Sequence, residues 1–212
     1  MSSATLRALH DHEQSHRPST QTADLPFFVA RYHHVLSEAL QSPAWQKLET
    51  LGETLLNCWM SNRQVFLCGN GGSATNAVHL ANDLMLGLRS EKRDGLRATA
   101  LSANPAVMTC LANDIGYEKV FGQQLLTLGQ RGDVLICFSG SGNSPNILNA
   151  LQAARGRGIT SFAVVGFDGG KAKDLADHPL HFEVNDMQVA EDLQTMVGHI
   201  TTQWLARATA ES

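Results

Sequence analysis

Val65-Phe66-Leu67-Cys68-Gly69-Asn70-Gly71-Gly72-Ser73 passes from four apolar residues straight into a glycine-serine loop. The pattern recurs at Val134-Leu135-Ile136-Cys137-Phe138-Ser139-Gly140-Ser141-Gly142-Asn143-Ser144. Both stretches read as strand, tight loop, helix. Glycines let a backbone approach an anion closely and serine hydroxyls add donors, while the following helix aims its free N–H groups and positive dipole end at the same point. Two such loops, the second carrying three serines in six residues, point to a phosphorylated small molecule as the ligand.

The first loop also fits a loose Gly-x-Gly-x-x-Ala pattern from Gly69 to Ala74. A dinucleotide site of that kind wants an acidic residue at the end of the next strand to hold the ribose. Here the next strand, Arg97 to Leu101, runs into Ser102-Ala103-Asn104-Pro105, and neither loop continues into the Gly-Lys-Ser/Thr of a nucleotide P-loop. Nucleotide binding is therefore the weaker reading.

Outward from the loops, strands and helices alternate. Strands are expected at Val65 to Cys68, Arg97 to Leu101, Asp133 to Phe138, Thr160 to Val165 and Leu180 to Val184. Helices are expected from Ser73 to about Leu88, before and after Asp114, from Ser144 to Arg157 and from about Val189 to Ala208, with a turn at Asp168-Gly169-Gly170. Short apolar strands separated by helices predict an α/β fold: a three-layer αβα sandwich on a mainly parallel five-stranded sheet, with ligands at the carboxyl ends of the strands. Ahead of it, Phe28, Tyr32, Val35, Leu36 and Leu40 share one helical face, and Leu48, Leu51, Leu55 and Trp59 share another. The sheet already has its own covering helices, so these two leading helices call for an apolar partner, and self-association is the economical answer. Residues 1–24 are polar, with His10, His12 and His16, and read as a mobile tail; residues 25–212 read as a single domain.

At 212 residues the chain suits one such domain with a helical extension, and a formal charge of −4 without a basic stripe argues against nucleic acid as its main ligand. No apolar run approaches a membrane span, and the N-terminus lacks the apolar core of a signal peptide, so a cytoplasmic protein with no membrane partner is expected. The four cysteines, Cys58, Cys68, Cys110 and Cys137, sit in apolar settings without C-x-x-C spacing and read as reduced, non-catalytic thiols.

Two helices carry residues suited to chemistry. His79 and Asp83 are four apart, on one face of the helix opened by the first loop. Such a pair suits a shared metal, or a general base with its orienting partner, and equally a plain surface pair. On the last helix Glu191 and His199, eight apart, share a face with Gln194 between them. Two imidazoles and two carboxylates would make a tetrahedral zinc set if the helices met.

With these residues in view, the chain resembles the sugar isomerase (SIS) domain family and, within it, the phosphoheptose isomerases, which interconvert sedoheptulose 7-phosphate and a heptose 7-phosphate. The stretches that carry the resemblance are Cys68-Gly-Asn-Gly-Gly-Ser73, Asn76-Ala-Val-His79-Leu-Ala, Leu111-Ala-Asn-Asp114-Ile-Gly, Gly132-Asp-Val-Leu135, Ser139-Gly-Ser-Gly-Asn-Ser144, Gly166-Phe-Asp-Gly-Gly170 and the final helix through His199. They extend from about Leu25 to Leu205.

The resemblance implies an aldose-ketose isomerase that works through an enediol with help from zinc. Ser73, Ser139, Ser141 and Ser144, with Asn70 and the backbone of Gly71, Gly72 and Gly140, would bind the sugar phosphate, and Asp114 would face the sugar. His79, Asp83, Glu191 and His199 would hold the zinc, Glu191 also touching substrate, with Asp83 as base and His199 as acid. Asp83 stands where the branch has glutamate, Glu191 where it has glutamine, and Gly140 where a threonine is usual. Pairing Gln194 with that glutamine instead would place Thr202 at the histidine position, whereas Glu191 with His199 keeps the eight-residue spacing and the apolar pattern around Val197 and Ile200. The resemblance further implies a homotetramer with active sites between subunits. Relatives with the same loops that bind the replication initiator DnaA, or that sense sugar phosphates, are the non-catalytic alternative.

Overall fold

Three apolar runs, Val65–Cys68, Val134–Ser139 and Thr160–Val165, each closed by glycine or serine, form the central strands of a sheet buried on both faces. The computed structural model describes residues 24–90 and 93–210. Its five strands are β1 (Val65–Cys68), β2 (Ala98–Ala100), β3 (Val134–Ser139), β4 (Thr160–Val165) and β5 (His178–His181), in the spatial order β2-β1-β3-β4-β5. Every pairing is parallel. The chain leaves β1 for β2 on one side and returns to β3 on the other, and a crevice opens at such a switch point beyond the strand ends.

The chain divides into two units, Met1–Val35 and Leu36–Ser212. What is described of the first is the leading part of helix α1 (Leu25–Ala39), a helix with no buried residue, on which Leu25, Phe27, Phe28 and Val29 are exposed. The second unit contains the sheet. On one sheet face Phe66, Cys68, Leu135, Cys137 and Ala163 pack with Val120, Phe121 and Leu125 of α5 (Val120–Leu128) and Ile147, Leu151 and Ala154 of α6 (Pro145–Arg157). The other helices of this unit are α2 (Leu48–Met60), α3 (Gly72–Asn82), α4 (Pro105–Ile115), α7 (Gly170–Leu175) and α8 (Met187–Ala210), and α8 packs on α2 and α3.

Local chemistry sets several boundaries. Asn104 caps α4, its Oδ1 accepting from the N–H groups of Ala106 at 3.1 Å and Val107 at 3.2 Å, with Pro105 in the first turn, where its missing donor costs nothing. Asp186 does the same for α8, accepting from Gln188 at 3.1 Å and Val189 at 3.2 Å, which starts that helix at Met187, ahead of the expected Val189. The strand expected at Leu180 to Val184 instead spans His178–His181. It ends where the Val184 N–H turns back onto the Phe182 carbonyl at 2.7 Å. Helix α3 stops as an α-helix at Asn82 and continues as one π turn, Asp83–Gly87, which a 3.6-residue periodicity does not reveal. Asp114 lies inside α4, not between two short helices.

Asp133 is buried at the start of β3 and accepts from the Gln64 N–H at 3.0 Å and the Gln130 N–H at 2.8 Å, tying β3 to β1 and to the preceding turn. Asp133→Ala leaves two backbone donors without partners. A loss of about 2–6 kcal/mol of unfolding free energy is expected at ~1–3 kcal/mol per orphaned donor. Urea denaturation measures it, and an unchanged midpoint would contradict this role.

Candidate active site

The register of β1 and β3 sets Cys68 directly opposite Cys137, so both glycine-serine loops leave the sheet side by side. In the first loop a side chain at Gly69 would place its Cβ 2.5 Å from the Ser73 carbonyl, so only glycine lets the loop close onto α3. Gly71 then takes φ +56° to enter the helix. In the second loop Ser139 Oγ accepts from the Gly142 N–H at 3.1 Å and Ser141 Oγ from the Asn143 N–H at 3.3 Å. A hydroxyl that accepts keeps its proton to donate, so both can still donate to an anion. Ser144 precedes α6 and makes no capping bond with its side chain.

Between the loops lies a cavity of about 300 Å³. Asn70 through Ser73 form one wall, Phe138 through Ser141 with Ser144 the other, and Met187 and Glu191 reach in from α8. Glu191 is the one ionisable side chain in this lining. Its carboxylate lies against Gly72, where an added Cβ would meet Oε2 at 2.2 Å. Gly140 faces Met187 Sδ, 2.4 Å from where a Cβ would stand, so Met187 occupies the space that the threonine usual at position 140 would use.

Farther along α3 a second group assembles. His79 Nε2 lies 2.8 Å from His199 Nε2 and 3.5 Å from Asp83 Oδ2, and the ligand atoms of the three residues all fall within 4.8 Å of one another. Tetrahedral zinc with bonds near 2.0–2.1 Å sets its ligand atoms about 3.3 Å apart, so small side-chain adjustments would fit the ion here. Two imidazoles and a carboxylate leave a coordination position open, as catalytic zinc sites do.

Glu191 does not join this group. Helices α3 and α8 run in the same direction: Gly72 faces Glu191 and, about two turns on, His79 faces His199. Residues eight apart stand about 12 Å apart along a helix, which leaves Glu191 at the loop end. Asn76 clamps the middle, its Nδ2 donating to the Glu191 carbonyl at 2.9 Å and to Gln194 Oε1 at 3.2 Å while its Oδ1 accepts from Thr195 Oγ1 at 3.0 Å. Gln194 is thus buried beside Asn76, and Thr202 bonds back to the Gly198 and His199 carbonyls. The alignment that sets His199 opposite His79 is the one the fold adopts.

Asp114, expected to face the sugar, lines no part of the cavity. It is exposed on the last turn of α4 and accepts from Asn113 Nδ2 at 2.8 Å and Cys110 Sγ at 3.4 Å. Those hydrogen bonds, the one from Asn113 foremost, hold its carboxyl below the usual range. Residues not singled out from sequence hold Asn70: its amide exchanges hydrogen bonds of 2.9 and 2.8 Å with buried Asn146, and Tyr117 donates to its Oδ1 at 3.0 Å. Beneath the loops Cys68 and Cys137 are buried with their sulfurs 3.5 Å apart, and burial first, then Cys68, raises the Cys137 thiol well above its ordinary value. Burial likewise pushes Cys58 up to about 12.

A parallel sheet whose switch-point loops and helix N-termini surround a small serine-lined cavity, with a histidine-carboxylate cluster farther along the same helices, is suited to an anionic small-molecule ligand. The profile described as SIS domain matches residues 28–166. The phosphoheptose isomerase of Helicobacter pylori (strain P12) is 39% identical over 170 residues, spanning 80% of this chain and 86% of the relative. That of a Nitratiruptor species is 35% identical over 176 residues, spanning 79% and 94%. Among solved structures, phosphoheptose isomerase GmhA from Neisseria gonorrhoeae superposes with a TM-score of 0.79 at 29% identity, over 85% of this chain and 96% of that one. The chain belongs to the SIS-domain family, in its phosphoheptose isomerase branch. Among the described residues no helix is long and apolar enough to cross a membrane.

The Asp114 hydrogen bond first, and then its charge, raise the Cys110 thiol. Asp114→Asn removes that charge and the stronger acceptor, so the thiol pKa falls and alkylation by iodoacetamide at about pH 8 speeds up several-fold. Cys58, Cys68 and Cys137, all buried, stay unreactive until the chain is denatured. Mass spectrometry of the labelled thiols reads both outcomes, and a slower or unchanged Cys110 would contradict the coupling.

Proposed function

We propose that this protein is a sugar-phosphate isomerase interconverting sedoheptulose 7-phosphate, or a close ketose phosphate, with the aldose phosphate. The observation that carries the reading is the cavity between two helix N-termini, walled by Ser73, Ser139, Ser141 and Ser144, with the His79–Asp83–His199 cluster farther along the two helices that border it. The serines and the first-turn N–H groups of α6 take the phosphate, and Gly71, with open space over it, lets the carbon chain lie against the backbone. Binding energy from the phosphate, remote from the reacting carbons, positions the chain for reaction.

Aldose-ketose isomerisation moves a proton between adjacent carbons through an enediol, so it needs a base, a proton for the carbonyl oxygen and positive charge near the enediolate. His79, Asp83 and His199 are proposed to hold zinc, with Asp83 serving as a ligand. Zinc bound there supplies the positive charge that the enediolate needs. Self-association, as a homotetramer, is proposed as well, supported by the exposed Leu25, Phe27 and Phe28 on α1 and by Ile200 and Trp204, exposed on α8. Sedimentation at micromolar concentration tests it, a monomer counting against it.

Purified protein assayed against a panel of ketose phosphates, with metal analysis of the same sample, tests the function itself. Turnover of none of them would end this reading. Replacing two of Ser139, Ser141 and Ser144 by alanine should weaken sugar-phosphate binding by on the order of 10-fold or more, at ~1 kcal/mol per lost hydrogen bond, as calorimetry would show. His199→Ala should remove both metal and turnover while phosphate binding stays within about threefold. Full activity after exhaustive chelation would exclude the metal role.

A further inference from the structure

We infer that Asn146 and Tyr117 are positioning residues for the substrate: together they fix the Asn70 amide so that it offers the sugar phosphate a single N–H donor. The inference rests on the isomerase reading above and adds two residues to its binding machinery. Asn70 forms part of the cavity wall, and Asn146 and Tyr117 stand behind it.

The three side chains come from three separate segments. Asn70 sits in the first loop, Asn146 is the second residue of α6, just beyond the second loop, and Tyr117 opens a short helical turn, Tyr117–Lys119, that packs on α4 and α6. A helical side chain leans toward the N-terminus of its own helix, so Asn146 is aimed back at the level of the loops. Asn146 is only 2% exposed, and its amide is paired with that of Asn70. Asn70 Nδ2 donates to Asn146 Oδ1 at 2.9 Å, and Asn146 Nδ2 donates to Asn70 Oδ1 at 2.8 Å. Turning the Asn70 amide away would leave buried polar groups of Asn146 unpaired, and that cost holds the pair together. The first loop is thereby tied to the helix that the second loop opens.

Tyr117 then decides what Asn70 can offer. Its hydroxyl donates to the same Asn70 Oδ1 at 3.0 Å, so both lone pairs of that oxygen are taken. One N–H of Asn70 Nδ2 goes to Asn146, which leaves the other for the cavity that Asn70 lines. A serine hydroxyl can rotate and either donate or accept, whereas this amide can only donate, in one direction. A donor held in place before the ligand arrives needs little ordering when the ligand binds, and it suits the oxygens of an anion.

Calorimetry with sedoheptulose 7-phosphate tests this on full-chain variants. Asn70→Ala should weaken binding by on the order of 10-fold, the scale of one hydrogen bond to a charged ligand. Asn146→Leu keeps the buried volume but lets the Asn70 amide turn, and it should cost a similar factor. The variant carrying both changes should bind within about twofold of Asn70→Ala, because Asn146 acts through Asn70. Tyr117→Phe keeps the ring and returns one lone pair to Asn70, and a loss of about threefold with an unchanged urea midpoint is expected. Metal content should stay the same in every variant, which separates these effects from damage to the His79–Asp83–His199 cluster. Should Asn146→Leu not fold, the same cycle run with Tyr117→Phe and Asn70→Ala decides the matter. Losses that multiply in the combined variant, or full affinity in both Asn146→Leu and Tyr117→Phe, would overturn the positioning role and leave the isomerase reading standing. A wild type that binds no sugar phosphate would overturn both.

Discussion

One pairing governs the site: β1 and β3 run parallel with Cys68 opposite Cys137, so the chain leaves both strands at the same level of the sheet. Each strand turns immediately into glycine and serine, and each loop opens a helix. Two positive helix ends and two sets of backbone donors thus converge without any cationic side chain in the cavity lining. A shift of one residue in this register would exchange the faces of the strand and move one loop off the other. The burial of Phe66, Leu67, Leu135 and Ile136 between helices on both faces makes that shift costly.

A second constraint sits above the first. The parallel course of α3 and α8, held by Asn76 against Gln194, Thr195 and the Glu191 carbonyl, divides the chemistry into two stations. The carboxylate at the loop end faces the cavity, and the imidazoles at the other end face each other. A lone carboxylate and a cluster of metal-binding character are thereby held on the same pair of helices but at different heights. The π turn at Asp83 follows directly after α3, one turn beyond His79, and such turns recur where a helix must present a functional side chain.

The loops, the parallel sheet and the meeting of His79 with His199 were legible in the sequence because each depends on local pattern or on a fixed spacing along one helix. What was not legible depends on how one element lies against another. Glu191 has the right spacing from His199 to share its face, yet the axial rise carries its carboxylate to Gly72 instead. Asp114 belongs to a matching motif, but its place on the last turn of α4 turns it toward Cys110 and Asn113. The Asn70–Asn146–Tyr117 network joins loops and a helix far apart in sequence, and no periodicity signals an amide pair of that kind. The end of β5 was misplaced because Phe182 and Val184 are apolar and buried although the backbone there has already turned.

Gly72 and Glu191 share one small volume, which couples two positions 119 residues apart. A side chain at 72 would push the Glu191 carboxylate aside, and a shorter residue at 191 would leave the space over Gly72 open. A change at either position is therefore felt first at the other, on the last helix or in the first glycine loop.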